Sequence, residues 1–266
     1  MRLLIALCLC LPASAQSLAF SKVGKGPGLV LIHGFAGNRG VWEDLARTLS
    51  ERHTVLTVDL PGCGDSAPPP PGPVDFAAVA DAVATLAARE LGGPGVVVAH
   101  SMGGLVGLRL ASRHPEQVRG LVLLDAPLLP MEGVQAERLA RGLEQDGPGT
   151  FRERYGRFAA SPEQLDRVVR EAARVSGPVL AAYTRGRTAP TEAEVGKVKC
   201  PVLLVASPIL LPLGENPDRE ARAVGYGGFG TLLVVRLPQA KHWVMWDEPR
   251  LVGRAIGEFV ATLGKP

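Results

Sequence analysis

The sequence predicts an α/β protein: a mostly parallel sheet flanked by helices, with an inserted helical cap. Three observations lead there. Short apolar runs alternate with segments of helical spacing, the runs are unbroken rather than alternating, and one long stretch contains no such run. An unbroken apolar run suits a strand covered on both faces, the condition of a parallel strand between layers of helix. With 266 residues, 46% hydrophobic and 21% charged, the chain is long enough for one sizeable core. A formal charge of +3, 5% aromatic residues and no Lys/Arg block argue against a nucleic-acid groove, which needs clustered cations and stacking platforms. The expected partner is a small molecule.

Taken in order, the first element is a targeting segment. Met1 and Arg2 precede an apolar run, Leu3 to Leu11, then Pro12 and the small residues Ala13-Ser14-Ala15 of a signal-peptidase site. The run is about half of the ~20 residues that a membrane span requires. Residues 1–15 are therefore expected to be a signal peptide cleaved after Ala15, and the protein exported, periplasmic or secreted. Cys8 and Cys10 leave with that segment. Cys63 and Cys200 remain, expected at opposite ends of the sheet and hence as free thiols.

Strand-length runs follow at Leu29–Ile32, Val55–Val58, Val96–Val98, Leu121–Leu124, Val202–Val205 and Leu232–Val235, each bounded by Gly, Pro or charge. Between them, Trp42, Leu45 and Leu49 have helical spacing. So do Phe76, Val79, Val83 and Leu86, in a helix expected to stop at Gly92-Gly93, and Leu251, Ala255 and Phe259 in the last helix. Pro68 to Pro73 reads as a stiff surface loop. From 127 to 199 helical spacing dominates, which predicts a cap inserted into a core of residues 16–126 and 200–266. Within it, Ser161-Pro162-Glu163-Gln164 carries an N-cap, a proline at the first helical position and a capping-box residue. Leu165, Val168, Val169, Ala172 and Val175 then line one face.

The residues that carry chemistry stand at strand ends. Val96-Val97-Val98-Ala99-His100-Ser101-Met102-Gly103-Gly104-Leu105 reads as strand, sharp turn and helix, with Ser101 at the apex of a nucleophile elbow. Such a serine is lifted clear of the sheet, with a helix N-terminus behind it to stabilise negative charge. The pattern asks for Gly two residues before the serine, where this chain has Ala99.

Together with two further loops, this elbow resembles the α/β-hydrolase superfamily over essentially the whole mature chain. Leu29 to Gly37, L-V-L-I-H-G-F-A-G, resembles the family's oxyanion loop after its third strand. Asp59 to Ser66, D-L-P-G-C-G-D-S, resembles the turn after its fourth, and Lys241-His242-Trp243 its histidine loop after the last. The resemblance implies an eight-stranded, mostly parallel sheet, with a reduced first hairpin because the N-terminal stretch is short. It implies Ser101 as nucleophile, His242 as base and the backbone N–H groups of Phe35 and Met102 as the oxyanion hole. The family's acid usually follows its seventh strand, but Val205 to Pro212 has no carboxylate. Asp125, closing the sixth strand as in some members, is the expected acid, with Glu215 or Asp218 on a longer loop as the alternatives.

No metal or cofactor is expected: there is no H-x-x-x-H or paired C-x-x-C, and Gly62 to Ala67, formally a dinucleotide fingerprint, runs into prolines instead of a helix. A serine rather than an aspartate at 101 points to acyl chemistry. The leading expectation is hydrolysis of a carboxylic ester of a small or medium, mostly apolar substrate. Phe35 and Trp243, with Met102, Phe151, Tyr155 and Phe158, are the candidates for an apolar pocket. Lactone, amide or carbon-carbon hydrolysis and peracid formation would use the same parts, and a catalytically weak binding protein of this fold is the second class.

Overall fold

The computed structural model describes residues 17–264 apart from 213 and 215; the side chain of Asp218 is also outside the described part, as are residues 1–15 with the expected signal. Strands β1 (Phe20–Val23), β2 (Gly28–Ile32), β3 (Thr54–Val58), β4 (Gly95–His100), β5 (Val118–Leu124), β6 (Val202–Ala206) and β7 (Leu232–Arg236) form one sheet. The order is β1-β3-β2-β4-β5-β6-β7. Only β1 is antiparallel, with Phe20 opposite Val58. The six apolar runs are six of these strands. One leading strand rather than a pair precedes β2 among the described residues, so the family's sixth strand is β5 here and its seventh is β6. The remaining strand, β1, has no apolar run: its Ser21, Lys22 and Val23 are exposed, whereas β7 at the other edge keeps four of its five residues part-covered.

Helices cover both faces. A Cβ at Gly120 would meet Phe259 and Leu263 of the last helix, α11 (Pro249–Thr262), whereas Leu121 packs at the Gly107 position of α3 (Gly103–Arg113). Successive strand residues point to opposite faces, so α3 and α11 lie on opposite sides of β5. Helix α1 (Glu43–Leu49) packs beside α11, and α2 (Phe76–Leu91) beside α3. Asp75 caps α2 by accepting from the N–H groups of Ala77 and Ala78, and Gly92, at φ 70°, ends it in the left-handed conformation. The α11 stripe differs from the expected one: Val252, Ala255, Ile256, Phe259 and Val260 are buried while Leu251 is exposed. With apolar residues at both 251 and 252, spacing alone does not choose the register.

Between β5 and β6 the chain builds α4 (Gly133–Gln145), α5 (Gly147–Tyr155), α6 (Pro162–Ala172), α7 (Gly177–Gly186) and α8 (Glu192–Val195). Ser161 caps α6 by accepting from the Gln164 N–H, and Val168, Ala172 and Val175 are buried as the stripe requires. Gln164 reaches back to the N–H of Ala160, one residue before the capping-box position. After β6 come α9 (Pro217–Ala221) and, beyond β7, α10 (Val244–Asp247). No helix among the described residues is long and apolar enough to cross a membrane. Cys63 and Cys200 are free, and burial pushes the Cys63 thiol up to about 12, which leaves it inert.

Candidate active site

The chain leaves β2 for β3 on one side and later enters β4 on the other. The loops after β2 and β4 therefore diverge at a switch point, where a crevice forms at the carboxyl ends of the strands. Among the described residues, the non-glycine residues with positive φ are Ala36 (57°), Ser101 (51°) and Asp125 (45°). They stand just after β2, β4 and β5. A left-handed backbone costs such residues about 1–2 kcal/mol, and strain of this kind collects at functional sites.

Local sequence explains the Ser101 turn. The Ser101 N–H donates to the Leu124 carbonyl at 3.0 Å, and the Gly104 N–H donates to the Ser101 carbonyl at 2.8 Å, so the strand breaks directly into α3. Glycines allow the approach: a Cβ at Gly103 would lie 2.4 Å from the His33 carbonyl oxygen, and one at Gly104 2.6 Å from Ala126 Cβ. The Ala99 methyl is accommodated from the other side, because the space it occupies lies over Gly107, where a Cβ would come within 3.0 Å of it. The departure from the expected glycine is thus compensated one helical turn into α3.

The three residues expected to act together are hydrogen-bonded in a chain. His242 Nε2 lies 2.8 Å from Ser101 Oγ, and His242 Nδ1 lies 2.7 Å from Asp125 Oδ2. An ionised carboxylate only accepts, so Nδ1 donates and Nε2 is left to accept from the serine hydroxyl. Asp125 is 1% exposed and Ser101 9%. The other carboxylate oxygen, Oδ1, accepts from the backbone N–H of Ser207 at 2.8 Å. The end of β6, where the resemblance looks for an acid, instead supplies a donor to the acid of the neighbouring strand. This role of Ser207 has no side-chain signature in the sequence, because the main chain performs it. Asp125 caps no helix: α4 begins eight residues later, with Glu132 as its cap. Of the alternatives, Glu215 lies outside the described residues, and Asp218 falls in α9.

Two buried histidines brace the surrounding loops. His33 accepts from the Leu60 N–H at Nε2, 3.0 Å, and donates from Nδ1 to the Gly34 carbonyl, 2.8 Å. Its burial pushes the pKa down, which preserves this neutral tautomer. His100 donates from Nε2 to the His242 carbonyl at 2.9 Å. Burial, reinforced by His242 nearby, holds its pKa well below the ordinary value. The turn after β3 is closed by Asp59, which is fully buried, pairs with Arg39 and accepts from the Asp65 N–H. The Phe35 and Met102 N–H groups donate to no acceptor among the described residues.

A cavity of about 20 Å³ adjoins Ser101, bordered by Gly34, Phe35, His100, Phe151, Tyr155, His242 and Trp243 among others. That is room for about one water. Phe35 and Trp243 line it as expected. The Met102 side chain is not part of its wall, being buried, and Phe158 packs against the His242 ring, centroids 5.7 Å apart. The Tyr155 ring stacks on Phe151 at 4.7 Å and tilts on Phe35 at 5.6 Å, so an aromatic wedge from α5 closes over the serine.

Comparison with known proteins places this geometry. Residues 27–176 match the family described as alpha/beta hydrolase fold. The pimeloyl-(acyl-carrier protein) methyl ester esterase of Chromobacterium violaceum is 29% identical over 267 residues, 93% of this chain and 99% of its own length. The protein of that description from Neisseria meningitidis serogroup C is 34% identical over 195 residues, 66% of this chain and 72% of its own. Some relatives are matched over less, 40% of the length in the Pseudoalteromonas atlantica protein. Among solved structures, a thermophilic esterase from Thermogutta terrifontis (malate bound) superposes with a TM-score of 0.80 at 25% identity, over 92% of this chain and 93% of that one. The chain belongs to the alpha/beta hydrolase fold family.

Proposed function

We propose that this ester-hydrolysing alpha/beta hydrolase is a serine carboxylesterase that works through an acyl-enzyme on Ser101. The hydrogen-bonded run from Ser101 Oγ through His242 to Asp125 carries the reading. Ser101 attacks the ester carbonyl as His242 Nε2 takes its proton. Asp125 holds the Nδ1–H tautomer and stabilises the imidazolium. The Phe35 and Met102 amides receive the developing oxyanion, and α3 directs its positive end at the same place. His242 then returns the proton to the leaving alcohol, and water releases the acyl group by the same steps reversed.

The relatives named above act, by name, on a methyl ester. That supports a carboxylic ester of a small alcohol, and the aromatic wall of Phe35, Tyr155 and Trp243 supports an uncharged acyl group beside the serine. The helices between β5 and β6 serve in this reading as the cap. Export through residues 1–15 belongs to the same proposal and favours a free ester over one bound to a carrier protein; N-terminal sequencing of the protein recovered outside the cytoplasm tests it, starting at Gln16 if the reading holds.

The decisive assay is hydrolysis of p-nitrophenyl esters of graded acyl length, and of short methyl esters, beside Ser101→Ala. Serine-dependent turnover is expected, with accumulation of an acyl-enzyme at Ser101. A folded protein that neither turns over esters nor reacts with a fluorophosphonate probe would be the binding protein of the second class.

A further inference from the structure

His242 is held by more than Asp125. Its backbone N–H donates to the Phe158 carbonyl at 3.2 Å, a group of the helical insertion. The residue before it, Lys241, donates its N–H to Asp247 Oδ2 at 2.7 Å. The other oxygen of that carboxylate accepts from Gln164 Nε2, also at 2.7 Å. Gln164 sits in the first turn of α6, and its amide oxygen is occupied by the Ala160 N–H at 2.7 Å, so its NH2 faces Asp247. An unbroken hydrogen-bonded link thus runs from α6 through Gln164, Asp247 and Lys241 to the histidine.

The same helix grips the site twice more. The Arg167 guanidinium lies 4.0 Å from the centre of the Trp246 ring. Glu171 accepts from Asn38 Nδ2 at 2.5 Å, and Asn38 stands in the loop after β2 that carries Phe35. Positions 164, 167 and 171 share one helix face, so α6 bridges the histidine loop and the β2 loop together.

We propose that Gln164 and Asp247 are positioning residues for His242, coupling the seat of the insertion to the alignment of the imidazole on Ser101. The inference rests on the proposed roles of Ser101 and His242. With α6 seated, the N–H groups of Lys241 and His242 both have partners in or tied to the insertion, and Nε2 stands 2.8 Å from the serine. Lifting the insertion takes the Phe158 carbonyl from His242 and Gln164 from Asp247, which loosens the loop while Lys241 keeps its bond to Asp247. The small cavity beside Ser101 is walled in part by Phe151 and Tyr155 of the insertion, so in the proposed coupling a displacement of the insertion widens the site and loosens the base together. Closure over the substrate and alignment of the base are then one event.

A reciprocal swap tests the coupling. Gln164→Glu sets two carboxylates against each other. Asp247→Asn keeps the bond from Lys241 but sets NH2 against NH2. In the double variant the new amide at 247 donates to the new carboxylate at 164 while its oxygen still accepts from Lys241, and the second carboxylate oxygen still accepts from Ala160. Every bond of the link is restored. The readouts are the rate of fluorophosphonate labelling of Ser101, kcat and KM on p-nitrophenyl acetate, and Tm.

Each single variant is expected to slow labelling and kcat by roughly 10- to 100-fold, with KM nearly unchanged, and the double variant to recover most of both. A merely structural role would lower Tm without this split between kcat and KM. Singles that label like the wild type overturn the proposal, and so does a folded double variant as slow as the singles. If the singles do not fold, the double variant decides: fast labelling supports the link and slow labelling overturns it. Wild type that does not label at all removes instead the nucleophile reading beneath it.

Discussion

Replacing Asp125 by Asn exchanges one oxygen for an NH2 at nearly constant shape, and the structure dictates which way the new amide turns. Asp125 Oδ1 accepts from the Ser207 backbone N–H at 2.8 Å, a donor that cannot reverse. The amide oxygen therefore stays on Ser207 and the NH2 faces His242 Nδ1, 2.7 Å away. Nδ1 must then accept, the ring proton moves to Nε2, and the atom 2.8 Å from Ser101 Oγ has no lone pair for the serine proton. The reversed amide keeps the working tautomer but opposes N–H to N–H where Asp125 is 1% exposed, at about 1–3 kcal/mol for an unsatisfied group. The expected loss in kcat is about 10⁴-fold, equivalent to about 5.4 kcal/mol of barrier. The assay is steady-state hydrolysis of p-nitrophenyl acetate at pH 8, with Tm measured beside it to show that the variant is folded. An Asp125→Asn enzyme within tenfold of wild type, with Asp218→Asn inactive, would refute the reasoning.

Stability should depend on acid through the two buried histidines. Burial lowers the pKa of His33 and holds that of His100 well below the ordinary 6.5, so below about pH 6.5 the unfolded chain binds protons that the folded chain refuses. The stability present at pH 7.5 is lost as the pH falls toward the folded values; a Tm that does not change between pH 7.5 and 5 would contradict this. Gly107→Ala, whose Cβ would lie 3.0 Å from Ala99 Cβ and 3.2 Å from Leu121, is expected to destabilise by about 1–3 kcal/mol in urea denaturation. Adding Ala99→Gly should recover part of that loss, and an additive double variant would deny the compensation. Tyr155→Ala removes the ring that closes on Phe35 at 5.6 Å and is expected to raise kcat/KM for octanoate relative to acetate by about tenfold; an unchanged chain-length profile would show that this ring does not limit the site.

The strands, the elbow and the histidine loop were legible because each is written in consecutive residues. Unbroken apolar runs specify strands covered on both faces, and a serine between such a run and Gly103-Gly104 specifies a turn whichever way the rest of the chain folds. Edge strand β1 and the register of α11 were not legible. In β1 only one residue of four is part-covered, and apolar residues at both 251 and 252 leave the helix two faces to offer.

The acid shows the boundary most clearly. The sequence by itself placed Asp125 at a strand end and left Glu215 and Asp218 as alternatives, because nothing local distinguishes a carboxylate that meets a histidine 117 residues away. The tertiary structure brings Asp125 to His242 by adjacency. Parallel pairing of β5 with β6 brings the Ser207 N–H onto one oxygen of Asp125, and the loop beyond β7 lays His242 on the other. The same holds for Ala99, whose methyl is tolerable only because α3 presents Gly107 to it, and for Gln164 and Asp247, which meet across 83 residues. Local sequence sets backbone conformation through sterics and hydrophobic pattern. Which polar groups come within hydrogen-bond distance is set by the order of strands in the sheet and the seating of helices upon it, and no spacing in the sequence records either.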